Sequence, residues 1–366
     1  MRTQQHTNSN SKDAYDVVVV GGGAAGLAAA LILGRSRRSV LVVDAGEPRN
    51  APAAHMHGYP SRDGMAPGAF LAEVRREVAA YGVELVRGRV TAAEPARVAG
   101  DDGSAGSDLP GGPGEPGRAD GFDVTLADGG RVYARRLVVA TGLVDELPDL
   151  PGVAERWGKD VIHCPYCHGW EVRDRAIGVL YTAASGSHQA VLFSQQSKDV
   201  TLFLDGADED EVPDSDWQLL AAAGVSVVSG KLDGLVVAGD ALTGVRLADG
   251  REFARDVFVV PPRMVPSDSL LTALGARTKE TQAGPFVDVD PTGLTSVPGV
   301  WAVGNATGPA EQVVNAASAG YRAGATLNAE LLHADLAREV ARRRGGVFSP
   351  EGERAVARAR AAGAGL

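Results

Sequence analysis

Lysine is nearly missing from this 366-residue chain: five of its 36 basic residues are lysines, the rest arginines. With the excess of alanine and glycine this reads as coding bias, so the arginines carry little functional weight. Acids outnumber bases 46 to 36, giving a net charge of −10 and a pI near 5.3. Such a surface repels a phosphate backbone, which excludes a general nucleic-acid binder. Long apolar runs are also lacking. Val17–Val20 and Leu27–Leu33 are far too short for a bilayer, so no membrane is expected. The first sixteen residues, MRTQQHTNSNSKDAYD, have no apolar core of a secretory signal. The expected compartment is therefore the reducing cytoplasm. Apolar residues at 44% and charged ones at 22% suit a soluble globular chain long enough for two domains.

Cysteine is the scarcest useful residue, with two in all, both in the stretch HCPYCHGWE from His163 to Glu171. In a reducing compartment a C-x-x-C pair is more often catalytic or metal-binding than structural. Three chemistries compete for it. Cys164-x-x-Cys167-His168 has the spacing of c-type haem attachment, which needs export or a dedicated assembly compartment. A zinc site needs about four ligands in a tetrahedron, and here His163 and His168 are chain neighbours of the two thiols. Cys164-Pro165-Tyr166-Cys167 also has the spacing of a redox pair.

The N-terminal third supplies the frame. Asp16–Val20 is a β-branched run, Gly21-Gly-Gly-Ala-Ala-Gly26 a glycine turn, Leu27–Leu33 a helical run, and Ser39–Asp44 a second apolar run closing on an acid. Strand, glycine turn, helix, strand and acid at about twenty residues' spacing is the dinucleotide-binding unit. Gly21 allows the tight turn, Gly23 lets backbone approach a pyrophosphate, and Gly26 lets helix and strand close up. Asp44 accepts from a ribose hydroxyl, favouring an adenosine without a 2′-phosphate. Further along, residues 1–14 read as a disordered lead, 67–82 as a helix, and 95–121 as a mobile Gly/Pro/Asp-rich insertion. Residues 148–158 read as a linker, 311–332 as a helix, and 336–366 as a helical surface tail.

The motif order resembles the low-molecular-weight thioredoxin reductase group of flavoproteins. It is carried by Gly21–Gly26, Ala140-Thr141-Gly142, Cys164-x-x-Cys167, and Gly299–Asn305 with Gln312-Val313, spanning Tyr15 to about Leu332. The resemblance implies an α/β protein of two Rossmann-like, three-layer ββα domains. A discontinuous FAD domain (15–147 and 265–335) would hold an inserted NAD(P)H-domain-like unit (148–264) that carries the cysteines, and the chain would form a homodimer. The implied FAD-binding residues are Gly21, Gly23, Ala25, Gly26, Asp44, Asn50, Val90, Thr141, Gly142, Gly304, Asn305, Gln312 and Val313. The implied redox pair is a Cys164–Cys167 disulfide, Cys167 facing the flavin and Cys164 meeting substrate. His168 stands where the reductases have a proton-moving Asp, and His163 is the alternative base. His55 and His57 are expected near the flavin or the substrate cleft, and Tyr166 and Trp170 are read as able to pack in the core.

Two departures redirect the expected function. After Ile177–Leu180 the second unit reads Tyr181 to His188 with one glycine where three are wanted. After the next strand it carries Asp205 and the acids Asp208–Glu211, which repel a 2′-phosphate. A related branch has this profile together with Cys-x-x-Cys-His-Gly: the dithiol oxidases that close disulfides in gliotoxin- and holomycin-type natural products. The resemblance then implies a small-molecule dithiol as substrate partner. FAD would be reduced through Cys167 and reoxidised by O₂ to give H₂O₂. A nucleotide- or ferredoxin-fed reductase of protein disulfides is the rival expectation.

Overall fold

The valine run becomes the centre of a sheet because all its side chains can be buried. In the computed structural model, which describes residues 13–96, 121–182, 186–345 and 350–361, β1 (Ala14–Val20) is followed by α1 (Ala24–Arg35) and β2 (Val40–Asp44). Next come α2 (Pro67–Ala79), β3 (Glu84–Arg87), β4 (Val90–Pro95), β5 (Phe122–Leu126) and β6 (Arg131–Val139). The strands order as β3-β2-β1-β6-β5-β4, parallel as far as β6 and antiparallel beyond it. Val17 and Val19 pack with Leu27, Ala30 and Leu33 of α1, while Val18 and Val20 pack with Phe122, Val124 and Leu137 on the other face. A strand buried on both faces reads as an unbroken apolar run rather than an alternating one. The expected lead at 1–14 and insertion at 95–121 lie almost wholly outside the described residues.

After β7 (Leu143–Glu146) the chain builds a second unit on the same plan. It contains α3 (Val153–Arg156), β8 (Val161–Ile162), α4 (Pro165–His168), β9 (Ile177–Leu180), α5 (Gly186–Phe193), β10 (Val200–Phe203), α6 (Asp214–Ala223) and β11 (Ser226–Val228). It finishes with the meander β12 (Leu232–Ala238), β13 (Ala241–Leu247) and β14 (Glu252–Ala254), then β15 (Val257–Val259). The parallel sheet β11-β10-β9-β15-β8 is sandwiched between helices and meander. Within the expected linker at 148–158, Val153–Arg156 form the single turn α3 and the flanking residues are irregular. Val153 is fully buried with Leu147, Leu150 and Trp157 beside it, and Arg156 is locked to Asp160.

The return strand β16 (Arg263–Pro266) pairs antiparallel with β7, so the two connections between units form one ribbon. Then follow α7 (Ser269–Ala273), β17 (Thr278–Thr281), β18 (Gly284–Val287), β19 (Val300–Ala302), which joins the second half of β6, and α8 (Val313–Gly345). The backbones of α8 and α1 touch closely: a Cβ at Gly320 would lie 2.0 Å from the Ala25 carbonyl oxygen. That crossing brings the starts of the two helices together. The division expected at residue 336 falls inside α8, which has no glycine or proline from 325 to 344 and so continues; α9 (Pro350–Ala361) follows. The helix expected over 67–82 ends at Ala79. Among the described residues no helix is long and apolar enough to cross a membrane.

Candidate functional site

A cavity of about 1820 Å³ opens where the two helix starts, the ribbon and α4 converge. Its floor is the turn between β1 and α1. Gly21 has φ +106°, and a Cβ there would sit 2.3 Å from the Ala140 carbonyl oxygen. At Gly26 a Cβ would lie 2.0 Å from the Gly21 carbonyl oxygen, so the turn and helix can close only on a bare backbone. Gly23 differs: nothing lies within 4 Å of a Cβ built there. Gly23 caps α1, has no side-chain cap, and no acid follows in the first turn. The result is an open cradle beneath helix N–H groups, which suits a pyrophosphate. Asp44 lies alongside, accepting from the Gly22 and Gly46 amides at 3.2 Å each and from Arg75 Nη2 at 2.8 Å. The residues fit an FAD adenosine and pyrophosphate.

The cavity wall includes Gly21, Gly23, Ala25, Asp44, Asn50, Val90, Thr141, Gly142, Gly304, Asn305, Gln312 and Val313. Gly26 lies behind the turn and shapes the wall without lining it. Thr141 Oγ1 donates to the Ser267 carbonyl at 2.6 Å, tying the end of the first sheet to the returning chain. Asn305 Nδ2 donates to the carbonyls of Gly308 and Pro309 at 3.0 and 3.2 Å. An aspartate could not make those two bonds, so the asparagine also serves its own loop.

Cys164 and Cys167 are joined as a disulfide, Cys164 capping α4 and Cys167 within its single turn. Pro165 at the first helical position fixes the entry. Across the cavity from the other unit, the Gln312 side chain reaches both sulfurs: Oε1 is 3.3 Å from Cys167 Sγ and Nε2 3.7 Å from Cys164 Sγ. His163 Nδ1 is occupied, 3.2 Å from the Val260 carbonyl and 2.9 Å from Gln189 Nε2. Burial holds its imidazole below the ordinary 6.5, partly offset by the Val260 carbonyl. His168 Nδ1 is buried with no partner. Burial again lowers its pKa, Glu171 opposing and His57 adding to the shift. Burial thus favours the neutral form of both rings.

Several contacts were invisible in the sequence. His57 lies between two carboxylates, with Nδ1 3.3 Å from Asp63 and Nε2 3.4 Å from Glu171, so it bridges the 51–65 loop to the segment after the disulfide. Its ring is 6.4 Å from that of His55, and both line the cavity. Arg49 makes a two-pronged pair with Asp145 of β7 at 2.8 Å on each side. No spacing announces a partner 96 residues away. Tyr166 and Trp170 correct the core expectation: they are 76% and 67% exposed. No residue of the single turn α4 is buried, and Tyr166 lines the cavity beside Pro165 and Cys167. Arg173 covers one face of the Trp170 ring at 4.2 Å.

Both sulfurs are spent on each other, and no group of three or more metal-binding side chains occurs among the described residues.

Comparison with known proteins agrees with this architecture. The family model for pyridine nucleotide-disulphide oxidoreductases matches residues 15–320. Thioredoxin reductase sirT of Leptosphaeria maculans is 33% identical over 335 residues, covering 88% of this chain and 96% of that protein. Thioredoxin reductase tcpT of Claviceps purpurea is 30% identical over 348 residues, covering 89% and 97%. The crystal structure of HlmI superposes with a TM-score of 0.80 at 47% identity, covering 92% of this chain and 98% of that one. The open cradle at Gly23, the disulfide facing it across one cavity and these likenesses lead to one assignment: the chain belongs to the pyridine nucleotide-disulphide oxidoreductase family, as an FAD-dependent thiol/disulfide oxidoreductase.

Proposed function

We propose that this protein is a dithiol oxidase that closes a disulfide in a small-molecule dithiol and passes the electrons to O₂. The observation that carries the reading is the state of the second unit's nucleotide end. In a unit of this type the pyrophosphate is held at the start of the helix after the first strand, here α5 after β9. Ser187, the second residue of α5, donates its hydroxyl to the Asp216 carboxylate. Burial raises the Tyr181 hydroxyl pKa, and the Asp216 and Glu211 carboxylates add to the shift. Beyond β10, Asp205 takes up Lys231 at 3.0 Å. Asp208 and Glu211 close a capping box around Glu209–Glu211. Carboxylates thus flank both places where phosphates would sit, the one cation named among them, Lys231, being paired with Asp205. Residues 183–185 lie outside the described residues.

The overall reaction balances: the dithiol loses two S–H bonds and gains one S–S bond, and O₂ takes two electrons and two protons to become H₂O₂. A substrate thiolate attacks Cys164 Sγ, and the Cys164–Cys167 bond breaks with its electron pair leaving on Cys167. The second substrate thiolate then attacks the substrate sulfur bonded to Cys164, closing the product disulfide and releasing Cys164. When bound, FAD supplies the two-electron acceptor for the reduced pair and relays those electrons to oxygen. Of the two histidines, His168 is the better base, because its Nδ1 is unspent while that of His163 is occupied. A homodimer fits this reading, supported by exposed Leu332, Leu336 and Val340 at four-residue spacing on α8.

Anaerobic titration tests the proposal. Stoichiometric NADPH is expected to leave the flavin absorbance unchanged over minutes, while dithiothreitol bleaches it; readmitted air then yields one H₂O₂ per disulfide. Bleaching by NADPH within seconds would establish the alternative suggested by the relatives' names, a nucleotide-fed reductase.

His168→Asn is expected to slow dithiol oxidation about 100-fold, the lower range for a general base. The neutral ring is the active form, so the wild-type rate should fall as pH drops through a value below 6.5. That acid limb should vanish in the variant. Stability should fall in the same direction, because below 6.5 the unfolded chain binds protons that the buried, neutral His163 and His168 do not. A rate profile identical in both proteins would remove His168 from the proton path.

A further inference from the structure

The amide of Gln312 has one donor end and one acceptor end, and the two ends lie against different sulfurs of the same pair. We infer that Gln312 is a catalytic residue that holds the reduced Cys164/Cys167 pair as one thiol and one thiolate, with the negative charge on Cys164. The inference rests on the reading that this disulfide is the exchanging one; it is independent of what finally accepts the electrons.

In the disulfide neither sulfur carries hydrogen, so the 3.3 Å approach of Oε1 to Cys167 Sγ is a contact and not a hydrogen bond. Once the pair is reduced, the same placement becomes complementary. Cys167 S–H donates to Oε1, and Nε2–H donates to the Cys164 thiolate, now 3.7 Å away. A second thiolate would face a carbonyl oxygen with no hydrogen to offer, so the dianion is disfavoured. The backbone that carries the amide is fixed. The Gln312 carbonyl accepts from the Ala316 N–H at 2.8 Å, fixing its backbone as the cap of α8. Its side chain is otherwise exposed and crosses from one unit to the other. That backbone bond does not depend on the S–S bond.

This arrangement sets where protons go. Two substrate S–H protons are released for each product disulfide. One is retained on Cys167 when the pair is reduced, and the other leaves with a base. The Cys167 proton must depart before its sulfur can give up electrons, and His168, the next residue, has the unspent nitrogen for it. The charge at Cys164 is on the sulfur that last released product, which keeps it a good leaving group.

The test is pH-dependent iodoacetamide trapping of anaerobically reduced holoprotein, with mass-spectrometric counting of label on Cys164 and Cys167. It is run on wild type, Gln312→Leu and Gln312→Glu, each checked for flavin content. Wild type should label Cys164 in preference to Cys167, with a half-rate pH below the free-thiol value of about 8.5. Gln312→Leu should raise that half-rate pH by about one unit, what one hydrogen bond to a charged sulfur is worth. Labelling at pH 7 should fall about tenfold by the same measure, and the Cys164 preference should shrink toward unity. Gln312→Glu, which replaces the donor with a like charge, should raise the half-rate pH further. An unchanged ratio and profile in Gln312→Leu, or a wild-type preference for Cys167, would overturn the inference. Failure of the underlying reading is separate: it would appear as full dithiol-dependent oxygen uptake in Cys164→Ser, which the trapping assay does not measure.

Discussion

Cys164→Ser and Cys167→Ser should each lose dithiol-dependent oxygen uptake by a factor on the order of 10³ or more, as expected when an obligatory nucleophile is removed, while retaining FAD and fold. A serine hydroxyl neither forms nor releases a disulfide with substrate, and a single remaining thiol cannot store two electrons. Structural loss is the rival explanation, and the geometry keeps it small. The disulfide closes a loop of sequence separation 3, which on chain entropy is worth about 2 kcal/mol at most. A 10³-fold rate loss corresponds to about 4 kcal/mol of transition-state stabilisation. Neither cysteine belongs to a core cluster, and both are only partly buried. The FAD cradle draws on other segments entirely. The measurement is oxygen uptake with dithiothreitol, alongside flavin absorbance and thermal unfolding of each variant. A variant that stays yellow, melts within a few degrees of wild type and still consumes oxygen at the wild-type rate would take the disulfide out of the electron path.

The disulfide itself was legible in the sequence because it is local. Four consecutive residues specify the ring, and the glycine turn with its flanking valines specifies the nucleotide cradle at fixed offsets. The alternation of the core was legible too: Val17 and Val19 against α1, Val18 and Val20 against the other face, follow from the two-residue period of a strand. What the sequence could not show is how the two units face each other. Gln312 meets the disulfide 145 residues away, His57 meets Glu171, and Arg49 meets Asp145. These pairs exist because the β7–β16 ribbon sets the second unit over the first. Periodicity within either unit carries no information about that placement. Other signals were present in the sequence. Leu150, Val153 and Trp157 recur at three- and four-residue intervals across the stretch read as a linker, and Val153 is buried with the other two packed against the core. The unbroken run without glycine or proline from 325 to 344 foretold that α8 would pass residue 336.

Substituting alanine at Gly23 and at Gly26 should produce two different failures, and the contrast tests the cradle more sharply than either variant alone. At Gly26 the new Cβ would lie 2.0 Å from the Gly21 carbonyl oxygen and 3.2 Å from the Ala140 side chain. Neither neighbour is a flexible tip; one is backbone in the tight turn that Gly21 makes at φ +106°. The helix must back away from the sheet, separating Leu27, Ala30 and Leu33 from Val17 and Val19 in the core they share. A forced core displacement costs about 1–3 kcal/mol or more, so Gly26→Ala should unfold at a clearly lower temperature even when stripped of flavin. At Gly23 a Cβ meets nothing within 4 Å in the protein, so the stripped Gly23→Ala protein should melt with wild type. The added methyl instead occupies the cradle under the α1 N–H groups, where a pyrophosphate must approach within hydrogen-bond distance. Forfeiting two such charge-assisted bonds, at about 1.5–3 kcal/mol each, predicts a loss of FAD affinity of 10²-fold or more, on the order of 10²–10⁴. Flavin titration of apoprotein and its melting curve read the two effects independently. A Gly23→Ala protein that binds FAD as tightly as wild type would place the pyrophosphate elsewhere and detach the dinucleotide from α1.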